Sequence, residues 1–165
     1  MLEAALTERY TDDLGDEERY ASLAQQAQGL FAGERNAIAN AANLASLIWH
    51  GLPRLNWAGF YLFDGRELVL GPFQGKPACV RIALERGVCG AAARSRQTQR
   101  VPDVHAFPGH IACDGASRSE LVVPLLRGDR LIGVLDLDSP EPDRFSAFDQ
   151  AGVERLAALW VAASD

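Results

Sequence analysis

Residues 120–138 read ELVVPLLRGDRLIGVLDLD, and their pattern decides the fold class. Two apolar runs, at residues 120–126 and 131–138, flank a polar sequence, Arg127-Gly128-Asp129. Apolar runs of this length on both sides of a Gly-containing turn predict a β-hairpin. The stretch therefore places at least part of the chain in an antiparallel sheet.

The second strand of this hairpin should carry acids on one face and leucines on the other, because side chains alternate along a strand. The first face is predicted to present Ile132, Val134, Asp136 and Asp138. The opposite face is predicted to present Leu131, Leu135 and Leu137, which suits packing against helices.

Glu120 joins this acidic face only in one strand register. A three-residue loop at 127–129 pairs Leu126 with Arg130 and puts Glu120 opposite Asp136, whereas a two-residue loop turns Glu120 to the other face. Two interpretations of the acids stay open: solvated residues at a strand end, or a pocket in which neighbouring carboxyl groups raise one another's pKa.

The rest of the chain alternates between helical and strand periodicity. Helices are predicted at residues 18–32, 35–49, 88–96 and about 146–162, the last with Ser146 and Asp149 as a capping pair. Further strands are predicted at residues 56–63, 67–72 and 80–83. Residues 102–118 have no period and form a long loop, which in a compact domain is usually functional or disordered.

These elements predict a single α+β domain over residues 1–165 with a largely antiparallel sheet. The N-terminal helices (about 18–50) and the C-terminal helix should cover one face of the sheet. The loops and the short helix of the central part (about 56–138) should cover the other. In the first strand, Trp57 and Tyr61 share a face, either as core residues or as the wall of a pocket.

Composition excludes several function classes. The net charge is −6, the pI is about 5.1, and Lys76 is the sole lysine, so the chain lacks the clustered cations that nucleic acids require. No apolar run reaches the ~20 residues of a membrane span. The first residues show no signal peptide, and we expect a reducing compartment, the cytoplasm.

Three cysteines, at positions 79, 89 and 113, differ in their surroundings. Cys113 lies in the polar loop, near His110, which could assist it, and beside Asp114, which opposes its ionisation. Cys89 follows Gly87 at a helix start, which lowers a thiol pKa, but the small residues after it fit a buried thiol better. Cys79 lies between a loop and a strand.

The residue spacing does not favour a metal site or a phosphate-binding site. There is no Cys-x-x-Cys, and the nearest ligand pair is His110 with Cys113, so we expect no zinc site. There is also no glycine-rich phosphate loop and no nucleophilic serine elbow.

Ordered blocks across residues 56–138 closely resemble the free methionine (R)-sulfoxide reductases. These blocks are NWAGFYL (56–62), LVLGPFQGK (68–76), ACVRI (78–82), GVCG (87–90), DVH (103–105), GHIACD (109–114), SE (119–120) and IGVLDLD (132–138). The resemblance implies a GAF fold with about six antiparallel strands.

The same resemblance implies roles for the three cysteines. Cys113 matches the nucleophile that attacks the sulfoxide sulfur and is left as a sulfenic acid. Cys79 matches the cysteine that resolves this acid into a disulfide. Cys89 matches a third cysteine of the family, through which some enzymes route electrons.

For the other positions, the resemblance implies that Glu120, Asp136 and Asp138 bind the amino group and assist protonation of the oxygen. Trp57 and Tyr61 match the aromatic wall around the methyl-sulfur end. The implied substrate is free methionine sulfoxide, with no bound cofactor, no nucleic acid and no membrane. The implied electron donor is thioredoxin, supplied from NADPH through thioredoxin reductase, and a homodimer is compatible with the family.

Two other functions stay open. One is a non-catalytic GAF sensor of a nucleotide or another small molecule, although an anionic nucleotide would meet the acids. The other is a redox-sensing module in which Cys79 and Cys113 form a switch without a substrate.

Overall fold

The computed structural model describes residues 14–110 and 113–165. The helices in these residues are α1 (Asp16–Phe31), α2 (Ala37–Gly51), α3 (Gly87–Ser95) and α4 (Ala147–Ala163), with a 3-10 turn at Val104–Ala106. The strands are β1 (Trp57–Phe63), β2 (Leu68–Gly75), β3 (Arg81–Ile82), β4 (Gln99–Val101), β5 (Ser119–Arg127) and β6 (Arg130–Ser139). The first thirteen residues, where no signal peptide is predicted, and residues 111 and 112 lie outside this description.

The six strands form one antiparallel sheet in the order β3-β2-β1-β6-β5-β4. The α+β class and the antiparallel sheet are thus as predicted. The two central strands, β1 and β6, lie side by side with Trp57 opposite Asp138 and Gly59 opposite Asp136. The topology therefore brings the predicted aromatic wall and the predicted acids to neighbouring positions.

One face of the sheet carries the main hydrophobic core, under α1, α2 and α4. Alternate residues of the strands, such as Phe60 and Leu135, are fully buried there, and Trp160 of α4 stacks at an angle on Phe60 with 5.1 Å between ring centroids. This confirms that the terminal helices share a face. Among the described residues, no helix combines the length and apolarity needed to cross a membrane.

The other face carries a second, smaller core beneath α3. Val88 and Ala92 of α3 pack there with strand residues that include Tyr61 and Val134. The helix ends at Ser95 and is capped by Arg96, whose backbone is left-handed with φ 56°. Since α3 is only nine residues long, it leaves the carboxyl end of β6 free to line a pocket.

The register of the β5–β6 hairpin differs from the predicted one. The turn has two residues, since Arg127 pairs with Arg130, but a bulge between Leu125 and Leu126 shifts the later pairs by one. As a result Glu120 lies opposite Asp138 rather than Asp136, and it still faces the acids. The bulge compensates for the short turn, because a one-residue shift moves every following side chain to the other face.

The bulge also places two apolar residues, Leu131 and Ile132, on the opposite faces of the sheet from those predicted. Leu131 belongs to the core beneath α3, and Ile132 packs against the helix-side core. The prediction that placed Ile132 with the acids and Leu131 with the helix-facing leucines was therefore wrong. Its error lies in assuming strict alternation through the extra residue of the bulge.

Two strand features escaped the sequence prediction. β4 has only three residues, Gln99–Val101, which is too short for a periodic signal. β2 continues beyond Pro72 to Gly75, because a register irregularity opposite Phe60 accommodates the proline. Proline lacks the N–H that a regular ladder uses, so it is tolerated at such a bulge.

A buried ion pair joins α1, α4 and the segment before α4. The Asp149 carboxylate accepts from the Tyr20 hydroxyl at 2.7 Å, from Arg144 Nη1 at 2.9 Å and from the backbone N–H of Ser146 at 2.8 Å. The Ser146–Asp149 capping pair is thus confirmed as a complete capping box. Arg144 also donates through Nε to the Pro53 carbonyl at 3.1 Å, so the network fixes the end of α2 as well.

Replacing Asp149 by Ala should lower the free energy of unfolding by about 3–5 kcal/mol, because it leaves Arg144 buried without its counter-charge. The side chains of this pair are 4% and 5% exposed. Urea unfolding measures the loss. The matched control is Glu141→Ala, which breaks the exposed Arg54–Glu141 pair and should cost less than about 1 kcal/mol. Equal losses in both variants would contradict a special role for the buried network.

Candidate active site

Three carboxyl groups converge on the sheet face beneath α3. Glu120 comes from β5, and Asp136 and Asp138 come from β6, where they point the same way because they are two residues apart. Glu120 and Asp136 are buried, with 7% and 5% of their surface exposed, while Asp138 is half-buried. The pocket interpretation of these acids therefore fits the structure, and the solvated interpretation does not.

Each of the three acids holds its proton more tightly than it would in water. Burial raises the pKa of Asp136 from 3.8 to about 6. Burial, followed by repulsion from Asp136 and Asp138, raises the pKa of Glu120 well above its ordinary value. Burial, followed by the negative charges of Asp136 and Asp114, raises the pKa of Asp138 well above its ordinary value. The cluster thus retains protons near neutral pH, which allows a carboxyl group to act as an acid.

Cys89 lies against this cluster as a free, buried thiol. Its Sγ is 3.9 Å from Glu120 Oε1. Burial, and then the charges of Asp136 and Glu120, raise the pKa of this thiol well above its ordinary value. The expected lowering by the start of α3 is therefore outweighed, and the interpretation of Cys89 as a buried thiol holds.

The hollow formed by these groups brings together three atoms of the kind that ligate cations. One ligand atom each from Cys89, Glu120 and Asp136 lies within 4.8 Å of the other two. Sequence spacing could not show this grouping, because the three residues come from a helix and two different strands. A buried group of this kind is stabilised by protons or by a cation such as an ammonium group.

Trp57 and Tyr61 line the same pocket and stack on each other, with 5.6 Å between ring centroids. Phe73 of β2 also stacks on Trp57, with 5.4 Å between ring centroids, and the sequence analysis missed it. The Tyr61 hydroxyl donates to the carbonyl of Cys79 at 2.9 Å. The aromatic wall is thereby fixed to the loop that carries a cysteine.

Cys79 and Cys113 form a disulfide at this pocket, with their Cα atoms 5.7 Å apart. It links the segment between β2 and β3 to the long loop before β5, 34 residues further along the chain. Both cysteines are half-buried. The pairing implied by the resemblance is therefore present, and Cys89 is left out of it.

The long loop at 102–118 is tied down at several points. The Val104 N–H donates to the Arg118 carbonyl at 2.8 Å, and the Gly87 N–H donates to the Gly109 carbonyl at 3.1 Å. The Asn56 amide donates to the Asp114 carboxylate at 3.1 Å and to the Ser117 hydroxyl at 3.0 Å. These anchors hold the loop over the pocket on either side of Cys113.

His110 also reaches the pocket. Burial, and then the neighbouring His105, lower the pKa of His110 from its ordinary value of 6.5. The lowered pKa favours the neutral imidazole, which is the form that can accept a proton. Its place in the pocket supports the predicted assistance to Cys113.

The pocket as a whole has an empty volume of about 560 Å³, which includes the solvent space at its open mouth. Seven of the eight predicted site residues line it, and Cys79 reaches it through its disulfide with Cys113. Lys76 and Arg86 line it too, and the sequence analysis missed both as site residues. Two buried polar atoms of the lining, Trp57 Nε1 and Asp136 Oδ1, have no hydrogen-bond partner within the described residues.

Residues 39–163 match the family model for the GAF domain. The chain therefore belongs to the GAF domain family. Over 141 residues it is 52% identical to the free methionine-R-sulfoxide reductase of Escherichia coli. This match covers 86% of each of the two chains. Within the GAF domains, it belongs to the free methionine-R-sulfoxide reductase family.

Solved structures of relatives superimpose closely. One is the free methionine-R-sulfoxide reductase of Neisseria meningitidis in complex with its substrate, with 40% identity, a TM-score of 0.88 and coverage of 93% of this chain and 92% of that one. Another, from Burkholderia vietnamiensis, is described as a GAF sensor protein. It has 61% identity, a TM-score of 0.89 and coverage of 92% and 96%.

Replacing Asp136 by Asn should stabilise the protein more at pH 7 than at pH 4. Below pH about 4 the Asp136 carboxyl is protonated in both the folded and the unfolded chain. As the pH rises to about 6, the unfolded chain releases this proton first, so folding loses stability. The variant should gain on the order of 2–3 kcal/mol over the native protein across that window.

Urea unfolding at both pH values, for the native protein and the variant, tests this expectation. Asp129→Asn, at the exposed hairpin turn, is the control and should show no such pH-dependent difference. A gain for Asp136→Asn that is the same at pH 4 and pH 7 would mean that this carboxyl is not desolvated in the folded protein.

Proposed function

We propose that this chain reduces free L-methionine (R)-sulfoxide to L-methionine. The observation that supports this most strongly is the place of the Cys79–Cys113 disulfide. It lies at a pocket whose other walls are an aromatic stack and three acids with raised pKa values. A sulfoxide reductase needs these three parts together: a thiol, an acid for the oxygen, and an apolar surface for the methyl group.

In the first step, the reduced Cys113 attacks the sulfoxide sulfur. The oxygen passes to Cys113 as a sulfenic acid, and the substrate leaves as methionine. His110 accepts the thiol proton, and a carboxyl of the acid cluster protonates the oxygen, which is otherwise a poor leaving group. The aromatic stack of Trp57 and Tyr61 orients the substrate's sulfur, a contact worth about 0.3–1.5 kcal/mol.

In the second step, the Cys79 thiol attacks the sulfenic sulfur of Cys113. A disulfide forms and one water molecule leaves. The 5.7 Å between the two Cα atoms lies within the range that a disulfide requires. No further movement of the backbone is needed to hold the oxidised state.

In the third step, we propose that thioredoxin reduces the disulfide by thiol exchange. Its electrons come from NADPH through thioredoxin reductase, and no cofactor is bound by the chain itself. Cys79 and Cys113 are both half-buried, which gives an external thiolate a path to one of the sulfurs. We propose the cytoplasm as the location, since that compartment supplies the donor.

Glu120, Asp136 and Asp138 have two tasks in this proposal. Some of their negative charge binds the ammonium of the free amino acid, and one retained proton goes to the sulfoxide oxygen. Methionine within a peptide lacks the ammonium and is excluded. For Cys89 we propose a role within the acid cluster rather than in thiol exchange, because its sulfur is buried 3.9 Å from Glu120 Oε1.

The wider organisation follows the family. We propose that residues 1–165 form one domain, since every described helix contacts the same sheet or a helix upon it. We also propose, on the family resemblance alone, that two copies associate as a homodimer. Light scattering of the purified protein measures its molar mass and so tests whether it is a dimer.

The second candidate function is a GAF sensor, as the Burkholderia vietnamiensis relative is described. An anionic nucleotide would meet the acid cluster, which argues against this class of ligand. Calorimetry with cyclic nucleotides separates the two functions, because clear binding without sulfoxide turnover favours the sensor. A redox switch would form the same disulfide, but it would not release methionine.

Replacing Cys113 by Ser should abolish turnover of free methionine (R)-sulfoxide, because a serine hydroxyl cannot take the oxygen as a sulfenic acid. The assay follows NADPH consumption through thioredoxin reductase and thioredoxin. A thermal unfolding curve like that of the native protein establishes that the variant is folded. Turnover that survives this substitution removes Cys113 from its proposed role.

Replacing Cys79 by Ser should leave the chemistry and remove the recycling. The reduced variant should release about one methionine per protein chain and then stop, since the sulfenic acid has no partner thiol. Mass spectrometry of the protein and of the released methionine gives both numbers. Continued turnover with thioredoxin, at the native rate, would show that Cys79 is not the resolving cysteine.

A further inference from the structure

The two sulfurs of the Cys79–Cys113 disulfide face different surroundings. Cys113 lines the pocket together with the acid cluster, whereas Cys79 is not among the lining residues in the described part of the chain. The pocket has an empty volume of about 560 Å³ including its mouth, which suits a small molecule and excludes another protein. A protein that exchanges thiols with this disulfide therefore reaches it from the side of Cys79.

The charges beside the two sulfurs differ as well. Asp114 directly follows Cys113, and a backbone hydrogen bond, then a side-chain one, lower the pKa of its carboxyl, so its negative charge persists. Residues 75–80, GKPACV, contain no acid and one base, Lys76. The attacking group in disulfide exchange is a thiolate. Its negative charge is consequently repelled less at Cys79 than at Cys113.

The segment that carries Cys79 lies at the edge of the sheet. β3 is the first strand in the sheet order and, within the described residues, pairs with β2 alone. Val80 directly precedes β3, and its carbonyl accepts from the Leu70 N–H at 2.9 Å, so the pairing with β2 extends back toward Cys79. An unpaired sheet edge can be approached along its free side, which is how one protein docks an extended segment against another.

The conformation of this edge segment is fixed. Gly75 has φ 129°, and a Cβ at that position would come 2.8 Å from the Asn56 carbonyl oxygen, so the entry to the segment requires glycine. The Tyr61 hydroxyl holds the carbonyl of Cys79 at 2.9 Å. A partner that docks here meets a surface that is already ordered, which lowers the entropic cost of binding.

An apolar side chain is exposed next to the sulfur. Val80 has 63% of its surface exposed. The other exposed large apolar side chains of the described residues, Leu14, Ile38 and Phe148, lie in or just before the helices of the opposite face. One exposed apolar residue is ordinary by itself. Beside a reactive disulfide and on an unpaired edge, it supplies the apolar contact that a protein reductant buries on docking.

We propose that the reducing protein docks on the edge segment formed by residues 77–80 and attacks the sulfur of Cys79. This inference rests on the thioredoxin step of the proposed function. The reductant's thiolate bonds to Cys79 Sγ, the Cys79–Cys113 bond breaks, and Cys113 leaves as the thiolate that faces the pocket. The reductant's second thiol then loses its proton and attacks the reductant's first sulfur. Cys79 is released and takes up that proton, so two electrons have passed from the dithiol to the disulfide.

Replacing Val80 by Asp should raise KM for thioredoxin by about tenfold, because it removes the apolar contact and adds a charge that repels a thiolate. Turnover driven by dithiothreitol should stay within about twofold, since a small dithiol needs no docking surface. Phe148→Asp is the matched control, because Phe148 is 65% exposed on α4 and should leave both values unchanged. The docking surface is refuted if Val80→Asp leaves KM for thioredoxin unchanged, or if it slows both reductants equally.

The sulfur that is attacked can be identified without any turnover. The Cys113→Ser variant is labelled on Cys79 with thionitrobenzoate, and Cys79→Ser is labelled on Cys113, with mass spectrometry confirming one label in each. Relative to dithiothreitol, thioredoxin should release the coloured thiolate from Cys79 at least about tenfold faster than from Cys113. Equal rates, or a faster reaction at Cys113, overturn the inference. Neither labelled variant meets methionine sulfoxide, so a failure of the proposed reductase function would appear only in the turnover assay.

Discussion

Three carboxyl groups and a thiol share one hollow that the sheet and α3 shield from water, and this burial, followed by the repulsion among the groups, governs the rest of the site. Ionising all of them together is unfavourable, since each buried charge lacks solvent and faces others of the same sign. This electrostatic cost falls when the groups keep their protons or when a cation binds among them. A substrate that brings an ammonium group and removes a proton uses both forms of relief. The same electrostatic feature that destabilises the empty fold therefore supplies binding and acid chemistry.

The fold can tolerate this electrostatic cost because one face of the sheet carries the main stabilising core and the other carries the pocket. The helix-side face holds the larger core, built from α1, α2, α4 and the apolar residues of the central strands. The Tyr20–Asp149–Arg144 network locks those helices together away from the pocket. The opposite face has a smaller core beneath α3 and carries the unsatisfied groups. Stability on one side thus compensates for a polar hollow on the other, as is common at functional sites.

Local patterns in the sequence predicted the long elements well, because helices and long strands leave a periodic signal. The strand β4 and the bulge opposite Leu125 left none, since a three-residue strand and one extra residue have no period. The pairing of Cys79 with Cys113 came from family resemblance, and spacing alone could not give it. Arg86 was missed as a lining residue of the pocket. Its position at the start of α3, where its side chain makes no capping hydrogen bond, is visible only in the three-dimensional structure.

The surroundings of Asp114 give a structural reason for the acid that the sequence places beside Cys113. A carboxylate beside a nucleophilic thiol should oppose its ionisation. In the structure, the backbone N–H of Ala116 and the amide of Asn56 both donate to Asp114, and these bonds, with the charge of Lys76, lower the pKa of its carboxyl. Its negative charge therefore persists beside Cys113, and it also contributes to the raised pKa of Asp138. Asp114 thereby helps to anchor the loop that positions the sulfur, and this gain accounts for an acid at a position where simple electrostatics would exclude one.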